Sequence, residues 1–153
     1  MKWKLAAAFF FVVMSFSVLN ADPGSFGIGL IIGEPTGISA KYYFDQKKAI
    51  DAAAGWSVVK NVARVHADFL FHNSTFMNKK LDLPLTLYYG AGLKSIFSDD
   101  FELGIRIPVG VLHDFKNTDL DAFLEIVPGM LLVPETKLTL DAAFGGRYYF
   151  GRK

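Results

Sequence analysis

The chain of 153 residues contains no cysteine. Disulfides, thiolate metal sites and a lipidated N-terminal cysteine are therefore excluded, and packing, hydrogen bonds and charge pairing must hold the fold. Beyond its N-terminal segment the chain also lacks any run of ~18 apolar residues, which a membrane-crossing helix requires. Net charge is nearly absent, with sixteen Lys and Arg against fifteen Asp and Glu. A nucleic-acid surface needs a basic excess, and none is present. No sequence repeat, low-complexity tract or internal boundary breaks a length that suits one domain.

What is present is apolar: 52% of the residues are hydrophobic, 15% are aromatic, and the mean hydropathy is +0.29. Lys2 and Lys4 precede a mostly apolar stretch from Leu5 to Leu19, which closes on Asn20 and Ala21. This is the layout of a secretory signal peptide, giving residues 1–21 as the cleaved signal and 22–153 as the mature domain. A single transmembrane helix is the competing reading, but the stretch is shorter than the ~20 residues a span needs. Loss of Lys2 and Lys4 leaves fourteen basic against fifteen acidic residues.

From Ser25 onward the sequence alternates apolar and polar residues in runs separated by Gly, Pro, Asn, Asp and Lys. Eight strands are predicted: Ser25 to Gly33, Gly37 to Phe44, Ala49 to Val58, Val62 to Phe71, Leu83 to Phe97, Phe101 to His113, Leu120 to Leu132 and Lys137 to Phe150. Short connections make neighbours antiparallel. A side-chain period of two then assigns each residue to one face. One face is free of charge and carries, among others, Phe26, Ile28, Leu30, Trp56, Phe71, Ile105, Ile107, Tyr148 and Phe150. The other carries Lys41, Asp51, Arg64, His66, Asp68, Lys94, Glu102, Arg106, Asp121, Glu125, Asp141 and Arg147, interleaved with glycines.

Alternation alone does not say which face is outside. Eight strands enclose an interior just wide enough for side chains or one small ligand, too narrow for roughly thirty large apolar residues. The glycine-rich face of balanced charge suits a narrow lumen, and the apolar face suits lipid. The fold expected is an all-β, eight-stranded antiparallel up-and-down transmembrane barrel. A soluble periplasmic lipocalin-like carrier, with the apolar face inward, is the alternative. With both termini periplasmic, Phe26, Phe44, Phe71, Tyr148 and Phe150 fall at one interface and Trp56 and Phe101 near the other, as aromatic girdles do.

The last strand, Asp141 to Phe150, resembles the C-terminal signal that outer-membrane barrels present to the barrel assembly machinery. Gly145, Tyr148 and Phe150 match its glycine and its two terminal hydrophobic positions, while Ala143 and the Gly151-Arg152-Lys153 tail depart from it. More broadly, Gly27 to Phe150 resembles a family of small eight-stranded outer-membrane barrels of OmpA/OmpX-like architecture. The marks are Gly33-Glu34-Pro35-Thr36-Gly37, Ala49-Ile50-Asp51 with Gly55-Trp56, and His66-Ala67-Asp68. The resemblance implies a fold, an outer-membrane location and lipid and assembly-machinery partners; it implies no activity.

Charges in a narrow lumen are costly unless paired, so the twelve inward ionisable residues are expected to form a plugging network. A small ion or proton path is the functional counterpart of that structural reading. His66 and Asp68 share a face, which invites comparison with acid-base pairs, but the sequence brings none of Ser39, Ser57 or Thr86 to His66. A lipid-modifying enzyme is thus the weaker alternative. His72 and His113 are placed at turns, without metal-ligand spacing. No catalytic, cofactor-binding or metal site is expected. The outward loops are short, which disfavours an adhesin or receptor, and Asn78-Lys79-Lys80 in the long connection from His72 to Asp82 reads as a solvated basic turn.

Overall fold

The computed structural model describes residues 24–57, 62–73, 79, 84–115 and 118–150. The expected signal segment 1–21, the turns at Lys60-Asn61 and Lys116-Asn117, Asn78 and Lys80 of the long connection, the strand ends Val58 and Leu83, and the tail 151–153 lie outside the described residues.

The strand segments are β1 (Phe26–Gly33), β2 (Thr36–Tyr43), β3 (Lys48–Ser57), β4 (Val62–Asn73), β5 (Thr86–Phe97), β6 (Phe101–Arg106), β7 (Val109–Asp114), β8 (Leu120–Val133) and β9 (Lys137–Phe150). Each pairs antiparallel with its neighbours, and β1 closes the ring on β9, from Phe26 opposite Phe150 to Gly33 opposite Ala143. Closure leaves no free sheet edge among the described strands.

Nine segments make eight barrel strands, because β6 and β7 share one place between β5 and β8. The register runs on unbroken: Arg106 faces Gly92 and Gly129, and Val109 faces Tyr89 and Ile126. The single strand expected from Phe101 to His113 is thus interrupted at Ile107-Pro108. Proline has no N–H to give to the ladder. The backbone nevertheless stays in the wall, with Ile107 N–H donating to the Pro128 carbonyl (2.8 Å) and Gly90 N–H to the Pro108 carbonyl (3.0 Å). Near the far rim Leu103 faces Val133 but Gly104 faces Leu131, a bulge that leaves Leu132 between them.

The β2–β3 hairpin shows how a polar turn ends two strands. Asp45 Oδ1 accepts the backbone N–H of Lys47 (2.7 Å) and of Lys48 (2.8 Å), which hold its carboxyl below the usual range. Such a side chain satisfies donors that the ladder has left behind.

Alternation sorts the wall as the period of two requires. Leu30, Ile38, Leu93, Ile107, Ile126, Leu138, Leu140 and Phe144 stand exposed on the outside, and away from the strand ends, where Lys48, Asn73, Asp114 and Lys137 are exposed, the exposed large side chains of the strands are apolar. At the rim carrying both chain ends, Tyr42, Phe44, Phe69, Phe71 and Tyr89 follow one another with ring centroids 5.2–6.1 Å apart. Tyr148 and Phe150 continue that rim, and Phe97 meets Phe101 at the opposite one. Inside, an apolar cluster of Ile31, Ala53, Leu70, Tyr88, Leu112, Phe123 and Ala143 packs among buried charges.

Candidate functional site

Inward side chains of neighbouring strands point into one narrow space, and glycines decide which of them can reach across it. Gly29 on β1 stands between Ser39 on β2 and Arg147 on β9. Arg147 extends over it to donate from Nε to Ser39 Oγ (3.0 Å) and to meet Asp51 Oδ2 on β3 (3.3 Å). Gly92 on β5 likewise stands between Asp68 on β4 and Arg106 on β6, whose Nε lies 2.9 Å from Asp68 Oδ1. Gly110 on β7 lies under the ring of Tyr88, which crosses it to donate to Glu125 Oε2 on β8 (2.8 Å). A β-carbon at Gly110 would run into the Tyr88 ring, one at Gly92 into Asp68 Oδ1 and the Ala67 carbonyl, and one at Gly29 into the backbone of Gly146 and Arg147.

Two charge clusters result. In the central one, Arg147 joins Asp51 to Asp121 (Nη1 to Oδ2, 3.8 Å), and Arg106 joins Asp68 to Glu125 (Nη2 to Oε1, 3.2 Å). Tyr149 donates to Asp121 Oδ2 (2.6 Å), and the Arg147 guanidinium lies 3.9 Å from the centre of the Phe123 ring. All four carboxylates and both arginines are buried. In the second cluster, toward the rim away from the chain ends, Arg64 bridges Glu34 (3.1 Å) and Asp141 (3.5 Å), and Lys94 meets Asp141 (2.9 Å) and Thr139 (2.6 Å). Glu34, Arg64, His66, Lys94, Arg106 and Asp141 line a cavity of about 10 Å³, room for about one water molecule.

Eleven of the twelve residues named from alternation take part in these clusters or stand beside them. Lys41 is buried, but its Nζ donates to His72 Nε2 (2.7 Å) and lies over the rings of Tyr43 and Tyr88 instead of pairing with an acid. Glu102 is not brought in: it is half-buried near the rim and forms no ion pair among the described residues. Arg106 reaches across to Asp68 and Glu125 instead, while Glu102 stands four residues back on β6, beside the turn that precedes it.

His72 corrects another expectation. It lies within β4, inward and buried, with Nδ1 toward the Lys47 carbonyl (3.3 Å), because β4 runs two residues beyond Phe71. His113 stands in β7, and its Nδ1 donates to the Pro84 carbonyl (2.7 Å). Glu34, read from sequence as a turn residue, was missed as an ion-pair partner, and so were the hydroxyls of Tyr88 and Tyr149. Alternation alone carries a signal for the tyrosines, since both fall on the inward parity of their strands.

The chemistry available to the lumen is correspondingly narrow. His66 Nε2 lies 3.8 Å from Asp68 Oδ2, and no hydroxyl bonds to His66 among the described residues: Ser39 accepts from Arg147, and Ser57 donates to Glu34 (2.9 Å). Among the described residues, then, no hydroxyl is placed for this imidazole to activate. The lumen is charged where a lipid carrier would need an apolar cavity. Gly145, Tyr148 and Phe150 occupy β9, with Tyr148 and Phe150 outward and exposed and Gly145 packed against Phe123.

Crowding of a crossing point should be measurable. Gly92→Val places a branched side chain against Asp68 Oδ1 and the Ala67 carbonyl, and should lower barrel stability by about 1 to 3 kcal/mol. Ala91→Val, one residue away on the outer face, should stay within about 0.5 kcal/mol. Urea midpoints of the refolded variants in lipid vesicles distinguish the two, and equal effects would contradict the inward placement of Gly92.

No protein-family model matches the sequence, and no curated protein matches it significantly. Among solved structures, the N-terminal β-barrel domain of Pseudomonas aeruginosa OprF is similar, with a TM-score of 0.56 at 18% identity. The similarity covers 83% of this chain and 99% of that domain. A closed ring of eight antiparallel strands, apolar outside and charged within, together with this likeness, gives the chain the fold of the small OmpA-like barrels of outer membranes.

Proposed function

We propose that the chain is a small outer-membrane barrel whose lumen is plugged by paired side chains, with a structural or interaction role in the envelope in place of wide-pore transport. The observation that carries this is the closure of the lumen by two successive ion-pair clusters, Arg147 and Arg106 with their four acids, then Arg64 and Lys94 with Glu34 and Asp141. Groups of both signs fill the space that a water column would need. The apolar exterior and its aromatic rims support residence in lipid.

In this reading residues 1–21 direct export and are removed, Gly145, Tyr148 and Phe150 serve the assembly machinery, and outer-membrane lipids surround the mature barrel. The charged lumen disfavours the lipocalin-like alternative. The absence of a hydroxyl bonded to His66 among the described residues disfavours the lipid-modifying one.

Planar-bilayer recordings on the purified, refolded barrel test the plug. The expected result is no large, steady conductance. Stable porin-like currents from the folded monomer would overturn it.

A further inference from the structure

The central cluster is built as two acid–arginine–acid units, Asp121–Arg147–Asp51 and Asp68–Arg106–Glu125. Their inner ends abut, because Asp51 on β3 is paired directly opposite Asp68 on β4. Like charges placed opposite each other on neighbouring strands repel. The arginines do not relieve this contact fully. Arg147 takes Asp51 Oδ2 and Arg106 takes Asp68 Oδ1, while Asp51 Oδ1 and Asp68 Oδ2 are buried without a hydrogen-bond partner. The third cation of this region, Lys41, is turned to His72.

His66 completes the geometry. Its imidazole is 4% exposed, forms no hydrogen bond among the described residues, and presents Nε2 toward the free Asp68 oxygen. One ligand atom from each of Asp51, His66 and Asp68 can be chosen so that all lie within 4.8 Å of one another. Buried polar atoms left unpaired are costly, and an unpaired oxygen from each of two carboxylates beside a buried imidazole asks for a cation.

We propose that Asp51, His66 and Asp68 form a site for one divalent transition-metal ion of the zinc class, held inside the barrel wall between β3 and β4. One imidazole nitrogen with two carboxylate oxygens is a donor set for borderline ions such as Zn²⁺ or Co²⁺, which bind such atoms at about 2.0 to 2.2 Å. Binding would draw the donors to about 3.3 Å from one another, the spacing of a tetrahedral site. Both arginines can keep the oxygens they already hold. The one-water cavity, which His66 also lines, supplies the approach and a fourth, water-derived donor. Sequence spacing could not find this site, because its third ligand comes from the adjacent strand and only the register brings it near.

The test is a Co²⁺ and Zn²⁺ titration of the intact, folded barrel in detergent, with metal content measured after gel filtration and Co²⁺ coordination read from its visible spectrum. The expected result is one metal per chain with a tetrahedral Co²⁺ spectrum. Affinity should fall at least about tenfold in His66→Gln and in Asp51→Asn, and stay unchanged in His113→Gln. Folding of each variant is verified by its heat-modifiable migration on gels. Wild-type barrel that binds no Co²⁺ or Zn²⁺ overturns the proposal and leaves a shared proton between Asp51 and Asp68 as the relief of their repulsion. Equal binding by wild type and His66→Gln overturns it as well.

Discussion

Replacement of Arg106 by alanine should cost the folded barrel about 3 to 5 kcal/mol, the typical penalty for removing one partner of a buried ion pair. Arg106 is 2% exposed, and its guanidinium is the counter-ion of both Asp68 and Glu125. Truncation leaves two buried carboxylates facing each other across the lumen, with Tyr88 as the remaining donor to Glu125. The cost comes from the orphaned acids more than from the lost contact. Glu102→Ala is the matched control four residues earlier on the same strand: with no ion pair there, its effect should stay within about 0.5 kcal/mol. Urea unfolding of both variants in vesicles measures the difference. Similar, small losses would mean that water enters the lumen and screens the cluster.

A charge on the other side of the wall should be nearly as damaging for a different reason. Ile107 lies at the middle of the sixth barrel strand, between β6 and β7, and is exposed on the apolar exterior. Arginine there would sit near the bilayer midplane, at a cost of about 2 to 4 kcal/mol. Phe101→Arg, at the rim of the same strand, should cost only about 0 to 1 kcal/mol, because an interfacial guanidinium keeps its water. A depth-dependent difference in the free energy of folding into bilayers is therefore the expected outcome. Equal tolerance at both positions would mean that this surface does not meet lipid.

The wall was legible in the sequence because a closed sheet has a single repeating rule. Period-two alternation separated Leu30 and Ile107 from Lys41 and Arg106, and the turn residues between runs marked the hairpins. The interruption at Ile107-Pro108 was legible in principle, since proline cannot donate to the ladder, but the uninterrupted register hid it within one alternating run. The partners inside the lumen were not legible. Arg106 meets Asp68, thirty-eight positions away, and not the nearby Glu102, because a partner across the lumen depends on strand register and on where glycine clears a path. The same holds for Glu34, whose turn position gives no hint that Arg64 will reach it, and for His72, which depends on two further residues of β4.

The central claim is that the apolar surface of this barrel faces the lipid of an outer membrane. Density-gradient fractionation of cells expressing the full chain, with N-terminal sequencing of the recovered protein, tests it most directly. The account predicts a mature chain beginning near Asp22 that sediments with the outer membrane and resists extraction by urea. A mature chain recovered as a soluble periplasmic protein would contradict it.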